Sequence, residues 1–87
     1  MKIKEKVIIA FKSIPENFVK EKSGKKSNTI RDLSNTDDRF ENIDRATHIR
    51  ILNAQTGEQF ERKITDITYW YGRYIISWNP NEKQKGK

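Results

Sequence analysis

The sequence SGKKSNTIRDL, residues 23–33, marks the change from a helix to a strand. Gly24 suits the left-handed residue that follows the last turn of a helix. In a strand that begins near Asn28, Thr29 and Arg31 would lie on one face and Ile30 on the other, because side chains alternate along a strand. The stretch therefore predicts a helix that ends at a glycine and leads into a strand with two polar side chains on one face.

The composition limits the chain to one small domain. It has 87 residues, of which 33% are hydrophobic and 34% charged. It has no cysteine and one histidine, His48, so neither a disulfide framework nor a thiolate or multi-histidine metal site is possible. The longest apolar run, residues 7–11, is too short for a membrane span or a signal peptide. We therefore predict a soluble cytoplasmic domain over residues 1–79, with no cofactor, metal or membrane partner, and a disordered basic tail over residues 80–87.

Positive charge is concentrated at the front of the chain. The net charge is +6 and the sequence pI is near 9.7. Residues 1–33 hold nine lysines and arginines against four acidic residues, a net charge of +5, whereas residues 34–46 hold two against four, a net charge of −2. A basic surface favours a polyanionic partner such as nucleic acid. An interaction domain that binds an acidic protein is an alternative.

Hydrophobic alternation predicts five strands and one helix. The strands are predicted over residues 3–11, 28–33, 47–52, 60–71 and 74–78. Ser13 as N-cap and Pro15 in the first turn predict a helix near residues 15–23. Residues 34–46 read as a loop with Phe40 and Ile43 turned inward. This order predicts a mainly β, α+β fold, a small, curved, mostly antiparallel sheet that closes towards a barrel and carries one short helix. At least one ring of the Tyr69–Tyr71 cluster is expected in the core.

The spacing of Gly24, Lys26, Thr29 and Arg31 resembles the motif of the ASCH domains, small β-barrels related to the PUA fold. The string KSNTIRD, residues 26–32, is similar to the KTxTIRD string of the threonine variant, which is found in short bacterial acetylcytidine amidohydrolases. The resemblance covers residues 11–46 by motif and extends by strand order to Trp78. It implies a cleft on one face of the barrel that binds RNA or modified nucleosides and nucleotides.

With this resemblance, the leading hypothesis is a binding module for RNA or nucleotides. Cationic side chains would contact phosphate or base edges, a hydroxyl would hydrogen-bond the ligand, and an aromatic ring would stack on a base. The predicted ligand-binding residues are Lys25, Lys26, Thr29, Arg31, Tyr69, Trp70 and Tyr71.

The alternative is a minimal, metal-independent amidohydrolase that acts on N-acylated cytidine nucleosides. Thr29 would be the nucleophile and Lys26 the base. The two are three residues apart, so their cooperation requires an irregular turn at residues 27–28. The glutamate of these amidohydrolases lies in a helical insertion between the last two strands, whereas the corresponding segment here, TYWYGR, contains no acid. Glu58, Glu61 and Asp66 do not match its position, and we expect little or no hydrolysis.

Overall fold

The computed structural model of the chain describes residues 5–34 and 36–79, so the predicted tail at residues 80–87 lies outside the described residues. In chain order the elements are β1 (Ile8–Ser13), α1 (Pro15–Ser23), β2 (Asn28–Arg31), α2 (Asp38–Asn42), a 3-10 turn (Ile43–Arg45), β3 (His48–Asn53), β4 (Gln59–Trp70) and β5 (Arg73–Trp78). The mainly β fold, the number of strands and the helix at residues 15–23 agree with the sequence prediction, but β1 begins at Ile8 and a second short helix is present. In the described ranges, no helix is both long and apolar enough to cross a membrane.

The five strands form one curled sheet in the order β1-β3-β4-β5-β2, a half-barrel whose edges are β1 and β2. Three neighbouring pairs are antiparallel, but β1 runs parallel to β3. The sheet is therefore mostly antiparallel, as predicted, but the sequence did not indicate that β1 and β3 form a parallel pair. A parallel pair needs a long crossover connection, and the chain supplies it in residues 14–47, which carry α1, β2 and α2.

The core lies on the concave face of the sheet. Ile9 and Phe11 of β1 and Ile49 and Ile51 of β3 alternate inward and are at most 3% exposed. Phe18 of α1 covers them and meets the ring of Phe60 at a centroid distance of 5.4 Å. The helix is held over one end of the half-barrel by this apolar contact, which brings its buried face next to the ends of β1 and β2.

The segment predicted as a loop contains helical turns instead. Asp37 caps α2 by accepting a hydrogen bond from the backbone N–H of Arg39 at 2.8 Å, an N-cap arrangement that satisfies one of the free donors of a helix start. Ile43 is buried as predicted, at 1% exposure, but Phe40 is 37% exposed and does not turn fully inward. Weak periodicity in the sequence concealed this short helix, because none of its residues is buried and the buried Ile43 follows it in the 3-10 turn.

The aromatic cluster Tyr69–Tyr71 is wholly on the surface, which corrects the expectation of a core ring. The three side chains are between 60% and 86% exposed. They lie where the β4–β5 hairpin extends past the core, at a two-residue turn formed by Tyr71 and Gly72 with φ values of 50° and 79°. Such turns match the twist of a hairpin but require positive φ at both residues. We call residues 69–73 the hairpin tip.

Candidate functional site

Arg31 bridges the two edges of the sheet. Its Nη1 donates to the backbone carbonyl of Lys12 at 2.9 Å, and its Nη2 donates to Oγ of Ser13 at 3.0 Å. Arg31 belongs to β2, whereas Lys12 and Ser13 belong to β1. The edges of the half-barrel therefore face each other across a gap, which we call the seam, and a side chain rather than a backbone ladder connects them.

A cleft of about 380 Å³ opens at the seam beside the buried face of α1. We call it the seam cleft. Its lining residues are Lys12, Ser13, Ile14, Asn17, Glu21, Lys26, Thr29, Ile30 and Arg31. Its volume lies within the usual range of small-molecule sites, roughly 300–1,000 Å³. Its lining is mostly polar and charged, whereas small-molecule sites are usually lined by apolar side chains with a few polar groups.

Glu21 places a buried carboxylate in this cleft. Glu21 is only 1% exposed. Its Oε1 accepts a hydrogen bond from Oγ of Ser13 at 2.8 Å, and its Oε2 lies 3.4 Å from Nζ of Lys26. The same ammonium donates to the backbone carbonyl of Asn28 at 2.8 Å. A buried charge is strongly unfavourable unless it is paired and hydrogen-bonded, and Ser13 and Lys26 meet that requirement here.

The end of α1 explains why Lys26 reaches Glu21. Gly24 adopts a left-handed conformation with φ of 95°, as predicted, and the backbone N–H of Lys26 donates to the carbonyl of Lys20 at 3.0 Å. This bond folds the chain back against the last turn of the helix. Lys26 and Ser27 lie outside the helices and strands, but Asn28 already belongs to β2. The irregular stretch therefore lies one residue earlier than the turn expected at residues 27–28.

Ser13 and Thr29 complete a chain of hydrogen bonds around Arg31. Ser13 was predicted to cap α1, but Ile14 occupies that position and Oγ of Ser13 links Arg31 to Glu21. Thr29, 3% exposed, accepts from Nε of Arg31 at 2.9 Å. Burial lowers the pKa of the Arg31 guanidinium, the charge of Glu21 raises it, and repulsion from Arg39 lowers it.

The structure brings together three of the seven predicted ligand-binding residues. Lys26, Thr29 and Arg31 line the seam cleft, whereas Lys25 is exposed and is not among the lining residues. The three aromatic side chains lie at the hairpin tip. There, Ile30, Trp70, Tyr71, Arg73 and Ile75 line a smaller surface cleft. Ile30 borders both clefts, so the hairpin tip and the seam cleft are neighbours on the molecular surface.

Sequence reasoning missed Glu21 and Ser13 as cleft residues. The carboxylates considered as candidates lie within residues 23–33 or further along the chain, whereas Glu21 belongs to the preceding helix. The sequence does indicate that Glu21 is buried, because Phe18 and Glu21 are three residues apart and therefore share one face of a helix. A glutamate on the face that carries the core phenylalanine has to be buried, and a buried glutamate needs a partner nearby.

Comparisons of the chain with protein-family models, with curated proteins and with solved structures found no match. The likeness to ASCH domains therefore rests on the motif at residues 24–31 and stays a hypothesis. Among residues 5–34 and 36–79, no group of three or more histidine, cysteine, aspartate and glutamate side chains is placed to hold a metal ion.

Proposed function

We propose that the protein binds a nucleotide, either free or within single-stranded RNA, in the seam cleft. The observation that supports this most directly is the convergence of Lys26, Thr29 and Arg31 on one cleft next to the two sheet edges. Cationic and hydroxyl donors in one concave site are suited to phosphate oxygens and to the carbonyl groups of base edges.

Lys26, Thr29 and Arg31 keep hydrogen-bond donors that their described contacts do not use and that a ligand could accept from. A guanidinium has five N–H groups, and Arg31 uses three of them on Thr29, Ser13 and Lys12. The ammonium of Lys26 has three N–H groups and contacts two acceptors. The hydroxyl of Thr29 accepts from Arg31, which leaves its own hydrogen available. The internal bonds hold these groups in place, so little side-chain entropy is lost when a ligand binds.

The hairpin tip provides a second contact for a longer ligand. Trp70 and Tyr71 are 60% and 86% exposed, and their rings meet edge to face at a centroid distance of 4.7 Å. Stacking of a base on such a ring contributes roughly 1–3 kcal/mol in single-stranded sites. Since Ile30 borders both surfaces, an oligonucleotide with one nucleotide in the seam cleft would reach the tip with a neighbouring base.

Titration of the protein with a mononucleotide and with short single-stranded RNA tests this function. We expect the RNA to bind more tightly than the mononucleotide, and log K to fall linearly with log salt concentration. Trp70→Ala should weaken RNA binding more than mononucleotide binding, because only the RNA reaches the hairpin tip. No binding of either ligand at low salt would contradict the proposal.

Hydrolysis of an N-acylated cytidine is a second candidate function, favoured by one observation. Glu21 places a carboxylate 3.4 Å from Lys26 in the cleft that Thr29 also lines, so a nucleophile, a base and an acid–base partner share one site. However, Oγ1 of Thr29 is hydrogen-bonded to Arg31 and not to Lys26 among the described contacts. We therefore keep binding as the leading function and expect little hydrolysis.

Incubation with N4-acetylcytidine decides between the two functions. Hydrolysis would consume one water and release acetate and cytidine, which chromatography separates from the substrate. Turnover that is lost in Thr29→Ala, Lys26→Ala and Glu21→Gln would establish the enzyme. If the wild-type protein binds the nucleoside without releasing cytidine, binding is its function.

A further inference from the structure

Three cationic side chains surround a second cleft at the free edge of β1. This cleft of about 510 Å³ is lined by Lys12, Arg31 and Arg39 together with Ala10, Phe11 and Leu52. We call it the edge cleft. Ala10 and Lys12 alternate with the buried residues of β1 and therefore belong to the outer face of the sheet. The edge cleft shares Lys12 and Arg31 with the seam cleft, so the two clefts adjoin.

The position of Arg39 is fixed by α2 and by the edge of β1. Its Nη1 donates to the carbonyl of Ala10 at 2.8 Å, and its Nε and Nη2 donate to the carboxylate of Asp37 at 2.9 and 2.6 Å. Its guanidinium carbon lies 4.5 Å from the centroid of the Phe11 ring, and that of Arg31 lies 4.8 Å from the same centroid. One aromatic ring therefore holds two guanidinium groups near each other.

The charged residues that line the edge cleft are all cationic. Asp37 pairs with Arg39, whereas Lys12 is exposed and its ammonium has no described hydrogen bond or ion pair. Lys12, Arg31 and Arg39 are the charged side chains that line the edge cleft. The carboxylates of Glu21 and Asp38 also act on the two arginines, but from outside this lining. Burial is the main reason that the pKa of Arg31 is lowered; Glu21 opposes the shift and repulsion from Arg39 adds to it. An anion between the two guanidinium groups would relieve this repulsion.

We propose that the edge cleft binds a phosphate group between Lys12, Arg31 and Arg39. This inference deepens the proposed function and rests on it in one respect: a nucleotide in the seam cleft would place its phosphate in the adjoining edge cleft. Planar guanidinium groups donate paired hydrogen bonds to phosphate oxygens, and both arginines keep N–H groups beyond their described contacts. The preferred ligand is then a nucleotide or a nucleic-acid backbone, and an unphosphorylated nucleoside binds more weakly.

Titration with inorganic phosphate tests the site without any nucleoside. The Nε–Hε resonances of Arg31 and Arg39 report on it in two-dimensional NMR spectra. We expect both resonances to shift and to saturate with the same apparent Kd. Lys12→Gln should raise that Kd about threefold or more, and Lys20→Gln, which removes an exposed lysine of α1, should leave it unchanged. The site is overturned if neither resonance shifts, or if the two lysine variants weaken binding equally.

A second titration compares cytidine, cytidine 5′-monophosphate and a single-stranded tetranucleotide. The inference predicts that both phosphorylated ligands bind more tightly than cytidine and that Lys12→Gln removes most of the difference. Equal affinity for cytidine and its monophosphate would overturn the phosphate subsite while leaving nucleoside binding in the seam cleft intact. Phosphate-induced shifts with no binding of any of the three ligands would instead keep the anion site and reject the proposed function. A stronger effect of Lys12→Gln on the tetranucleotide than on the monophosphate would identify backbone phosphates as the preferred source.

Discussion

The guanidinium of Arg31 on β2 donates to the carbonyl of Lys12 on β1 at 2.9 Å and so joins the two edges of the half-barrel. An unpaired strand edge is a liability because its backbone groups are open to other chains. Here Arg31 and Arg39 occupy two carbonyls of the β1 edge, those of Lys12 and Ala10. The residue proposed to contact the ligand is therefore also a structural residue, and the two roles need separate measurements.

Replacing Arg31 by lysine should destabilise the domain. The change keeps the charge but removes the fork that reaches Thr29, Ser13 and the β1 carbonyl together, so we expect the free energy of unfolding to fall by about 1–3 kcal/mol. Urea denaturation measures this fall. Arg73→Lys is the matched control, because Arg73 makes an exposed ion pair with Asp32 and its change should cost less than about 0.5 kcal/mol. Equal stability of the Arg31→Lys and wild-type proteins would show that the seam does not depend on the guanidinium.

Ser13→Ala should also destabilise the domain, for a different reason. Without the hydroxyl, Oε1 of the buried Glu21 loses its donor, and an unsatisfied buried polar group costs about 1–3 kcal/mol. Thermal and urea unfolding give the magnitude. Ser23→Ala removes an exposed serine hydroxyl and should change stability by about 0.5 kcal/mol or less. If Ser13→Ala and Ser23→Ala change the free energy of unfolding equally, the hydrogen bond from Ser13 to the carboxylate of Glu21 does not contribute to stability.

Tyr71→Asn should stabilise the protein while weakening RNA binding. Tyr71 has a φ of 50°, a conformation that asparagine tolerates better than other non-glycine residues. Partial relief of this strain should raise the free energy of unfolding by up to about 1 kcal/mol. Affinity for single-stranded RNA should fall because one stacking ring is lost. Tighter RNA binding by the variant would indicate that the ring at the hairpin tip takes no part in recognition.

The stability contributed by Asp37 should depend on acid pH. Hydrogen bonds from Arg39 lower the pKa of Asp37 to about 2 from its ordinary value of 3.8. Because the folded-state pKa is the lower one, the contribution is complete above the unfolded value and is lost as the pH falls towards 2. The difference in unfolding free energy between the wild type and Asp37→Asn should be constant near neutral pH and should shrink between pH 4 and pH 2.

Denaturant unfolding at several pH values provides that measurement. Asp44→Asn is the control, since the exposed carboxylate of Asp44 has no described hydrogen bond or ion pair, and this variant should stay close to the wild type throughout. A difference for Asp37→Asn that is as large at pH 2 as at pH 6 would contradict the account of the Arg39 contact.

Local patterns predicted most of the elements, whereas long-range contacts decided the site. Alternation placed Thr29 and Arg31 on one face of β2 and Ile30 on the other, as the structure shows. The parallel pairing of β1 with β3 depends on the path of residues 14–47, which no local pattern encodes. The exposure of Trp70 depends on how far the hairpin extends past the core, and a run of aromatic residues does not reveal that distance.

The buried carboxylate shows a second limit of sequence reasoning. Glu21 is hydrogen-bonded to Ser13, eight residues before it, and lies near Lys26, five residues after it. The motif includes Lys26 but neither Ser13 nor Glu21. Burial of a glutamate can be inferred from its helical face, yet the identity of its partners depends on how α1 packs against the ends of β1 and β2.

The most direct test of nucleotide binding in the seam cleft compares two adjacent lysines. Lys25→Gln and Lys26→Gln remove the same charge from neighbouring positions, but only Lys26 lines the cleft. Each is titrated with short single-stranded RNA at several salt concentrations, beside the wild type and the Lys20→Gln control. We predict that Lys26→Gln weakens binding and lowers the slope of log K against log salt by about one if it contacts a phosphate, whereas Lys25→Gln has a smaller effect. Equal losses for both variants, or an unchanged affinity for Lys26→Gln, would contradict binding in this cleft.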